Sequence, residues 1–157
     1  MQTELVAMSQ GQYERYVAQS WRDYAEENVA TGRWPQAGAL ARARAEYEAL
    51  LPQGLATSSQ QLFAIQDGAG QTVGGLWLAI RTAPDGQRSG FVYDITILPG
   101  ARRQGHGRRA FTLLESLARA QGLVSIGLNV FANNPAALAL YRRLGYRVTN
   151  LAMSKAL

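Results

Sequence analysis

The fold follows from one stretch of the chain, Ile95-Thr96-Ile97-Leu98-Pro99-Gly100-Ala101-Arg102-Arg103-Gln104-Gly105-His106-Gly107, in which an apolar strand runs through a basic turn into a helix. The first turn of a helix has backbone N–H groups without intrahelical partners and the positive end of the peptide dipole, so phosphate oxygens bind there readily. Gly105 and Gly107 lack a Cβ and allow close approach to the backbone. Nearby guanidinium groups can bind phosphate in bidentate fashion: Arg102, Arg103, Arg108 and Arg109. The stretch therefore predicts a site for a phosphorylated cofactor.

Spacing excludes two common phosphate-binding loops. A nucleotide-hydrolysing loop ends in Gly-Lys-Ser or Gly-Lys-Thr, and this turn contains no lysine. A dinucleotide-binding turn needs a third glycine, where this chain has Ala110. Nucleotide hydrolysis and nicotinamide chemistry are therefore not expected.

Composition limits the chemistry that the chain can perform. It has 157 residues, no cysteine and one histidine, His106. Disulfides, a thiol nucleophile and cysteine-ligated metals are excluded, and so are most histidine-based metal sites. We therefore expect a reaction that uses no metal, carried out by a single domain spanning residues 1–157.

Charge and hydropathy narrow the class of protein further. The net charge is +5, but the arginines concentrate around residues 102–109 and 142–147, beside the proposed cofactor segments. A ligand site explains this charge better than nucleic-acid binding does. No apolar run reaches the length of a membrane helix, and the N-terminus has no secretory pattern. We therefore expect a cytoplasmic protein without nucleic-acid or membrane partners.

The rest of the chain predicts a mixed sheet with helices on both faces. Predicted strands cover residues 3–8, 62–66, 72–81, a long segment ending near 98, 124–130, 146–149 and 151–155. Predicted helices begin at Ser9, at Trp34-Pro35, after the phosphate turn and at Asn134-Pro135. The second of these is expected to place Leu40, Ala43, Tyr47, Leu50 and Leu51 on one face. The aromatic cluster of Trp21, Tyr24 and Trp34 is expected in the core.

A second segment with motif residues follows the phosphate turn. Residues 129–146 contain, in order, Asn129 at a strand end, the cap Asn134-Pro135, an alanine-rich helix, Tyr141 and the pair Gly145-Tyr146. Together with Arg102, Gly105 and Gly107, which fill an Arg/Gln-x-x-Gly-x-Gly/Ala signature, this segment resembles the GNAT superfamily of acetyl-CoA-dependent N-acetyltransferases. The likeness runs from about Gln60 to the C-terminus. It implies an α+β fold of three layers, with a mostly antiparallel mixed sheet and a splayed central strand pair.

The resemblance implies direct transfer of the acetyl group of acetyl-CoA to a primary amine of a small molecule or peptide, in a ternary complex. In the family the strand ending at Ile97 is bulged and parts from the strand at 124–130, which leaves a cleft for the pantetheine arm. Fixed dipoles of that strand would polarise the thioester carbonyl. The residues implied to contact coenzyme A are Ile95, Thr96, Ile97, Arg102, Arg103, Gln104, Gly105, His106, Gly107, Arg108, Asn129, Asn134, Ala137 and Tyr141.

Catalytic and acceptor roles are also implied by the resemblance. Tyr141 matches the general acid that protonates the departing thiolate, and Asp94 lies where some relatives have an acidic substrate contact. Asn129 stands where other relatives have a glutamate base, and an amide does not accept a proton in that way. Asp94 is therefore the alternative base, acting on the amine through water or binding it as an ammonium. The early helices of relatives line the acceptor site, which suggests Glu26 and Glu27.

Two other functions stay open on the sequence. Asn129 also fits a non-catalytic acyl-CoA-binding or regulatory module, and the basic character fits a nucleic-acid-binding domain with salt-dependent affinity. His106 is expected to face the cofactor or solvent, because its position in the phosphate turn outweighs the aptitude of histidine for proton transfer. Many relatives form homodimers, and the sequence identifies neither the oligomeric state nor the acceptor.

Overall fold

Five strands form one sheet in the computed structural model, which describes residues 2–157. The strands are β1 (Thr3–Ala7), β2 (Gln60–Asp67), β3 (Thr72–Thr82), β4 (Arg88–Ile97) and β5 (Ile126–Leu128), and they lie side by side in that order. The first four are antiparallel to their neighbours, and β5 is parallel to β4. The sheet is therefore mixed and mostly antiparallel, which confirms the expected fold class.

Helices cover both faces of this sheet. The long helices are α1 (Gln10–Ala30), α2 (Ala39–Leu50), α3 (His106–Ala120) and α4 (Pro135–Arg143). On one face, Val17 of α1 packs into a buried cluster with Leu62 and Trp77 of the sheet. On the other face, Phe111 of α3 and Tyr141 of α4 share a core with strand residues such as Leu76 and Val92. Burial of these apolar side chains on two faces holds the three layers together.

The helix boundaries follow local capping. Ser9 accepts a hydrogen bond from the N–H of Gln12, whose side chain in turn accepts one from Ser9, which is a capping box at the start of α1. Asn134 caps α4 by accepting the N–H of Ala137, with Pro135 in the first turn of the helix. Both helices therefore begin at the predicted residues.

The second helix begins later than predicted. It starts at Ala39 rather than at Trp34-Pro35, because the N–H groups of Arg33 and Trp34 donate to the carbonyl of Asn28 and hold this segment in a turn after α1. Trp34 is buried there with Ala43, and Tyr24 packs edge-on against it, so the aromatic cluster belongs to the core as expected. Leu40, which was expected on the buried face of α2, is half exposed.

The C-terminal part of the sheet differs most from the expectation. The strand predicted at 124–130 is limited to β5, and the strands predicted at 146–149 and 151–155 are not formed. β5 is short because β4, its only neighbour in the sheet of the described residues, turns away from it after Val92. Residues 147–157 are exposed throughout. Within residues 2–157, no helix combines the length and the apolar character that crossing a membrane requires.

Candidate active site

A cleft opens where β4 and β5 part. The two strands pair only from Gly90–Ile126 to Val92–Leu128. In the β3–β4 ladder, Leu78 lies opposite Val92 while Trp77 lies opposite Asp94, so Tyr93 is an extra residue in β4. Such a bulge bends a strand and ends regular pairing. Beyond it, β4 keeps β3 as a neighbour but loses β5, as expected for a site that binds an extended ligand.

The register shows which backbone groups face this cleft. Leu98 donates to the carbonyl of Val73, and opposite residues alternate between bonded and non-bonded pairs in an antiparallel ladder. The N–H and C=O of Thr96 are therefore directed to Gly75, whereas those of Ile95 and Ile97 are directed away from β3. The carbonyl of Ile97 accepts a hydrogen bond from Arg102 Nε at 2.9 Å. The Ile95 N–H interacts with the Asp94 carboxyl, so the carbonyl of Ile95 and the N–H of Ile97 are the groups that remain for a ligand.

The N-terminus of α3 is open to an anion. Its N-cap is Gly105, at φ +82°, and no side chain caps this helix, whereas Ser9 and Asn134 cap α1 and α4. The first backbone N–H groups of α3 therefore lack a side-chain acceptor and point out of the helix beside the cleft. A diphosphate fits such a site because it combines aligned donors with the positive end of the dipole.

The basic residues of the turn divide into two groups. Arg109 donates to Thr3 Oγ1 at 2.8 Å and to the carbonyl of Gln104, and Gln104 donates in turn to the carbonyl of Gly100. With Arg102 bonded to Ile97, these side chains hold the turn in place. Arg103 and Arg108 are exposed, and within residues 2–157 neither forms an ion pair. Arg103 and Arg108 are therefore the arginines available to a ligand.

His106 does not face a ligand or solvent through its ring, which corrects the expectation. Its side chain is 3% exposed, and Nδ1 lies 2.9 Å from Thr3 Oγ1 on β1. As the first residue of α3, it packs under the edge of the sheet, where the imidazole ties the helix to β1. Of His106, the backbone N–H is the group that remains at the open N-terminus of α3.

The bulge also places Asp94 on the face of the sheet that α1 covers. Tyr16 Oη donates to Asp94 Oδ2 at 2.5 Å, and Ser20 Oγ lies 3.4 Å from the same oxygen. Burial raises the pKa of Asp94 above its usual range, and the charge of Asp23 adds to this. The hydrogen bonds from Tyr16, Ser20 and the Ile95 backbone lower the pKa but do not cancel the effect of burial. A carboxyl group with a raised pKa is suited to accept a proton near neutral pH.

Gly75 makes the contact between Tyr16 and Asp94 possible. A Cβ on Gly75 would lie 2.5 Å from the ring of Tyr16 and 3.0 Å from the side chain of Met8. No carbon atoms approach this closely, so any larger residue would push the tyrosine ring off the sheet. Gly75 thus has a steric role on β3, directly beside the candidate base.

Tyr141 is buried on the other side of the cleft. Its ring packs edge-on against Phe111 at 5.3 Å and lies 5.9 Å from the ring of Tyr146. Burial raises the pKa of Tyr141 to about 12, and the charge of Asp94 contributes to the increase. The phenol therefore stays protonated at neutral pH, as a general acid must, and it is close enough to Asp94 for the two groups to interact electrostatically.

Comparison with known proteins agrees with this geometry. The model of the acetyltransferase (GNAT) family matches residues 16–146. The chain belongs to the GNAT family. It is 32% identical to YycN of Bacillus subtilis strain 168, which is described as an uncharacterized N-acetyltransferase, over 98% of this chain and 97% of that one. It is 29% identical to YdgE of the same strain, also described as an uncharacterized N-acetyltransferase, over 96% of this chain and 95% of that one.

A solved structure extends the likeness to three dimensions. The crystal structure of YycN matches this GNAT chain with a TM-score of 0.93 and 30% identity, covering 99% of each chain. A mycothiol acetyltransferase of Renibacterium salmoninarum is 37% identical over 81 residues, which are 51% of this chain and 24% of that one. The parted strands and the open helix terminus therefore lie in a fold that acetyltransferases share.

The remaining predicted residues of this GNAT chain are placed as follows. Asn134 Oδ1 accepts the N–H of Ala137 at 3.1 Å, so both residues already serve as the cap of α4. Asn129 is exposed directly after β5. Glu27 lies on the same face of α1 as Tyr16 and is partly buried. This burial raises the pKa of Glu27. Glu26 is exposed on another face of α1, away from Asp94.

Three polar side chains of the site were not predicted from the sequence. Tyr16 and Ser20 form hydrogen bonds to Asp94. Burial raises the pKa of Tyr47 of α2, and the charge of Asp94 raises the pKa of Tyr47 further. Tyr16 and Ser20 are four residues apart and share one face of α1, but no local sequence signal links them to Asp94, which lies 78 and 74 residues further along the chain. Within residues 2–157, no three His, Asp or Glu side chains come together as a metal site.

Proposed function

We propose that the chain is a single-domain N-acetyltransferase that moves the acetyl group of acetyl-CoA to a primary amine by direct transfer in a ternary complex. The observation that carries this proposal is a partly buried carboxyl group at the point where β4 parts from β5, close enough to a buried phenol for its charge to act on that phenol. Asp94 has a raised pKa and suits a base, and Tyr141 is held protonated and suits an acid. The acceptor is a small molecule or a peptide.

The donor would be held at two places. The N–H groups of His106, Gly107 and Arg108 would bind the diphosphate, with Arg103 and Arg108 adding charge. The carbonyl of Ile95, together with the N–H of Ile97, would bind the amides of the pantetheine arm as a neighbouring strand would. When bound, acetyl-CoA supplies the acetyl group as an activated thioester. The residues of the chain supply the proton transfers.

Asp94 would bind the acceptor and remove its proton. Tyr16 and Ser20 both bond to Oδ2, so Oδ1 is the oxygen left for an ammonium group. The side chains whose charges or hydrogen bonds act on this carboxyl are Tyr16, Ser20 and Asp23, and none is basic. An amine that arrives as a cation is therefore attracted, and the proton passes from nitrogen to Oδ1 before attack. Asp94 would thus act as the general base, a role that the amide of Asn129 cannot perform.

Tyr141 would then deliver its phenolic proton to the sulfur of the departing thiolate, and the proton that the nitrogen loses as the amide forms would restore the phenol. Asp94 would release the proton that it took from the ammonium group to solvent. A group with a pKa of about 12 remains protonated throughout the neutral range, so it is ready before each turnover. The charge of Asp94 contributes to that raised pKa, so it favours the protonated form of the phenol. A non-catalytic acyl-CoA-binding module would have no need for this pair.

The proposal is tested with acetyl-CoA and a panel of amines that differ in charge and length. The measurement is release of free coenzyme A, detected with a thiol reagent, and the absence of cysteine from the chain removes the protein background. Cationic primary amines are expected to be acetylated. Binding of acetyl-CoA without thiol release for any amine would favour the regulatory alternative.

Gly107→Val is expected to weaken coenzyme A binding at least tenfold. Gly107 occupies the first turn of the uncapped α3, and side-chain atoms there would cover the N–H groups that the diphosphate needs. Its Cβ would lie 3.7 Å from Leu140 and 3.8 Å from Ile97, which is ordinary van der Waals contact, so the Cβ itself causes no clash. Calorimetry measures the affinity. Gly11→Val is the matched control, because Gly11 lies in the first turn of α1, which Ser9 caps, and its replacement is expected to leave the affinity unchanged.

Tyr16→Phe is expected to move the acidic limb of the pH profile of kcat/KM to higher pH. The hydrogen bond from Tyr16 lowers the pKa of Asp94, so its removal raises that pKa further. A larger fraction of Asp94 is then protonated at a given pH, and activity at neutral pH falls several-fold while it recovers in alkali. Tyr13→Phe, on the same helix but outside the contacts of Asp94, is the control. A limb that stays in place in Tyr16→Phe would exclude Asp94 as the titrating base.

A further inference from the structure

A row of aromatic side chains on β4 lies on the face of the sheet that carries Asp94. The ring of Tyr93 packs on the ring of Trp77 at 4.6 Å, and the ring of Phe91 packs edge-on against Tyr93 at 5.0 Å. Trp77 belongs to the buried cluster under α1, whereas Phe91 and Tyr93 are only partly buried. Phe91, Tyr93 and Asp94 therefore form one partly exposed surface, the β4 shelf, with the carboxyl group at one end.

β5 leaves room beside the β4 shelf. Ile126 and Leu128 pack into the core on the α3 side of the sheet, so the residue between them, Gly127, faces the side of the shelf. Gly127 lies opposite Phe91, and a Cβ on it would be 3.6 Å from the Phe91 ring. Because glycine has no side chain, β5 places no atoms beyond its backbone at this position. The shelf therefore has free space beside it and runs into the cleft, which opens after Val92.

A cation lies at the end of the β4 shelf opposite to Asp94. Arg81 of β3 has its Cζ 4.0 Å from the ring centre of Phe91 and 5.7 Å from that of Tyr93, and its Nη2 donates to Tyr93 Oη at 3.4 Å. These contacts hold the guanidinium in place. In the part of the chain that the structure describes, Arg81 forms no ion pair and no second side-chain hydrogen bond. A fixed guanidinium with free N–H donors is suited to bind a carboxylate.

We infer that the acceptor is a short peptide with a free carboxylate, which lies along the β4 shelf with its amino group at Asp94 and its carboxylate at Arg81. The inference rests on the function proposed above, because it takes Asp94 as the group that receives the amine. Phe91 and Asp94 are separated by about 10 Å along the strand, and Arg81 lies over Phe91. An extended chain covers about 3.5 Å per residue, so a peptide of two or three residues spans this gap.

Charge and surface both favour such a peptide. A carboxyl group and a guanidinium at opposite ends of one surface are complementary to a ligand that carries an ammonium group and a carboxylate at its two ends. The rings between them favour an apolar side chain on the peptide, since apolar atoms leave water when they pack on Tyr93 or Phe91. A diamine of the same length would bring its second cation against Arg81. It is therefore expected to be a poorer acceptor than the peptide.

The dipeptide alanyl-phenylalanine and its C-terminal amide test the inference, because the two differ by one negative charge. Release of coenzyme A is expected to show at least a tenfold preference in kcat/KM for the free acid. Arg81→Gln is expected to lower kcat/KM for the acid to that for the amide. Arg33→Gln is the matched control, because Arg33 also lies over a ring, that of Phe131 at 5.5 Å, and its loss is expected to leave the preference intact. Equal use of acid and amide by the parent chain, or a preference that Arg81→Gln retains, would overturn the inference.

Calorimetry on the complex with coenzyme A separates this inference from the proposed function. The free acid is expected to bind the parent chain at least tenfold more tightly than the amide does, and Arg81→Gln is expected to bind both equally. If no amine releases coenzyme A while this difference in affinity is observed, acetyl transfer is refuted and the peptide site on the shelf is supported. If amines are acetylated but acid and amide do not differ, acetyl transfer is supported and the inference is overturned.

Discussion

Asp94→Asn is expected to lower kcat/KM for an amine acceptor by about 10²- to 10⁴-fold, the range over which a positioned general base contributes. The amide keeps the size of the side chain and can still accept the hydrogen bond from Tyr16, so the site keeps its shape. It cannot accept the proton of an ammonium group. Affinity for coenzyme A is expected to be unchanged, because Asp94 lies on the α1 face of the sheet, away from the anion site.

Steady-state kinetics with the best acceptor of the amine panel measures this effect. Asp23→Asn is the control, since Asp23 is an exposed carboxylate whose charge acts on Asp94 without bonding to it. Its loss is expected to change kcat/KM by only a few-fold. An Asp94→Asn enzyme with near-parental activity at all pH values would remove Asp94 from the mechanism.

Tyr141→Phe is expected to lower kcat by about 10²-fold or more, while the affinity for coenzyme A changes little. The substitution removes one hydroxyl group and keeps the ring that packs against Phe111. The thiolate would then leave without a proton from the enzyme. Rapid-mixing measurement of coenzyme A release, compared with binding of the cofactor by calorimetry, separates the two quantities.

Tyr146→Phe provides an internal control for that experiment. Its ring packs against the same Phe111 at 5.8 Å, and its buried hydroxyl has no hydrogen-bond partner in the described part of the chain. Removing a buried, unpaired hydroxyl costs no hydrogen bond, so stability is expected to hold or to rise slightly. Turnover is expected to stay near that of the parent. Equal losses in Tyr141→Phe and Tyr146→Phe would mean that Tyr141 acts only through packing.

Local signals explain which parts of the fold were predictable. The boundaries of α1 and α4 were correct because Ser9 and Asn134 form caps with residues a few positions away. The phosphate turn was equally local, with Gly105 in a left-handed conformation at the start of α3. The start of α2 was wrong because the carbonyl of Asn28 holds the segment before it, and no sequence pattern near Trp34 reveals that contact.

The candidate site was harder to predict because its contacts are long-range. Tyr16 and Asp94 lie 78 residues apart, and their meeting depends on a one-residue bulge at Tyr93 and on the missing side chain of Gly75. His106 was assigned to the ligand by its position in the turn, but a buried contact with Thr3 directs its ring inward. Residues 151–155 have a sequence pattern typical of a strand, but a strand also needs a neighbouring strand to pair with, and these residues have none in this structure.

A crystal structure with coenzyme A bound tests the central claim most directly. We predict that its diphosphate lies on the N–H groups of His106, Gly107 and Arg108, and that its pantetheine arm runs along Ile95 between the parted strands. The sulfur is then expected within hydrogen-bonding reach of Tyr141 Oη. Coenzyme A bound elsewhere on the chain, or a sulfur directed away from both Tyr141 and Asp94, would contradict the account.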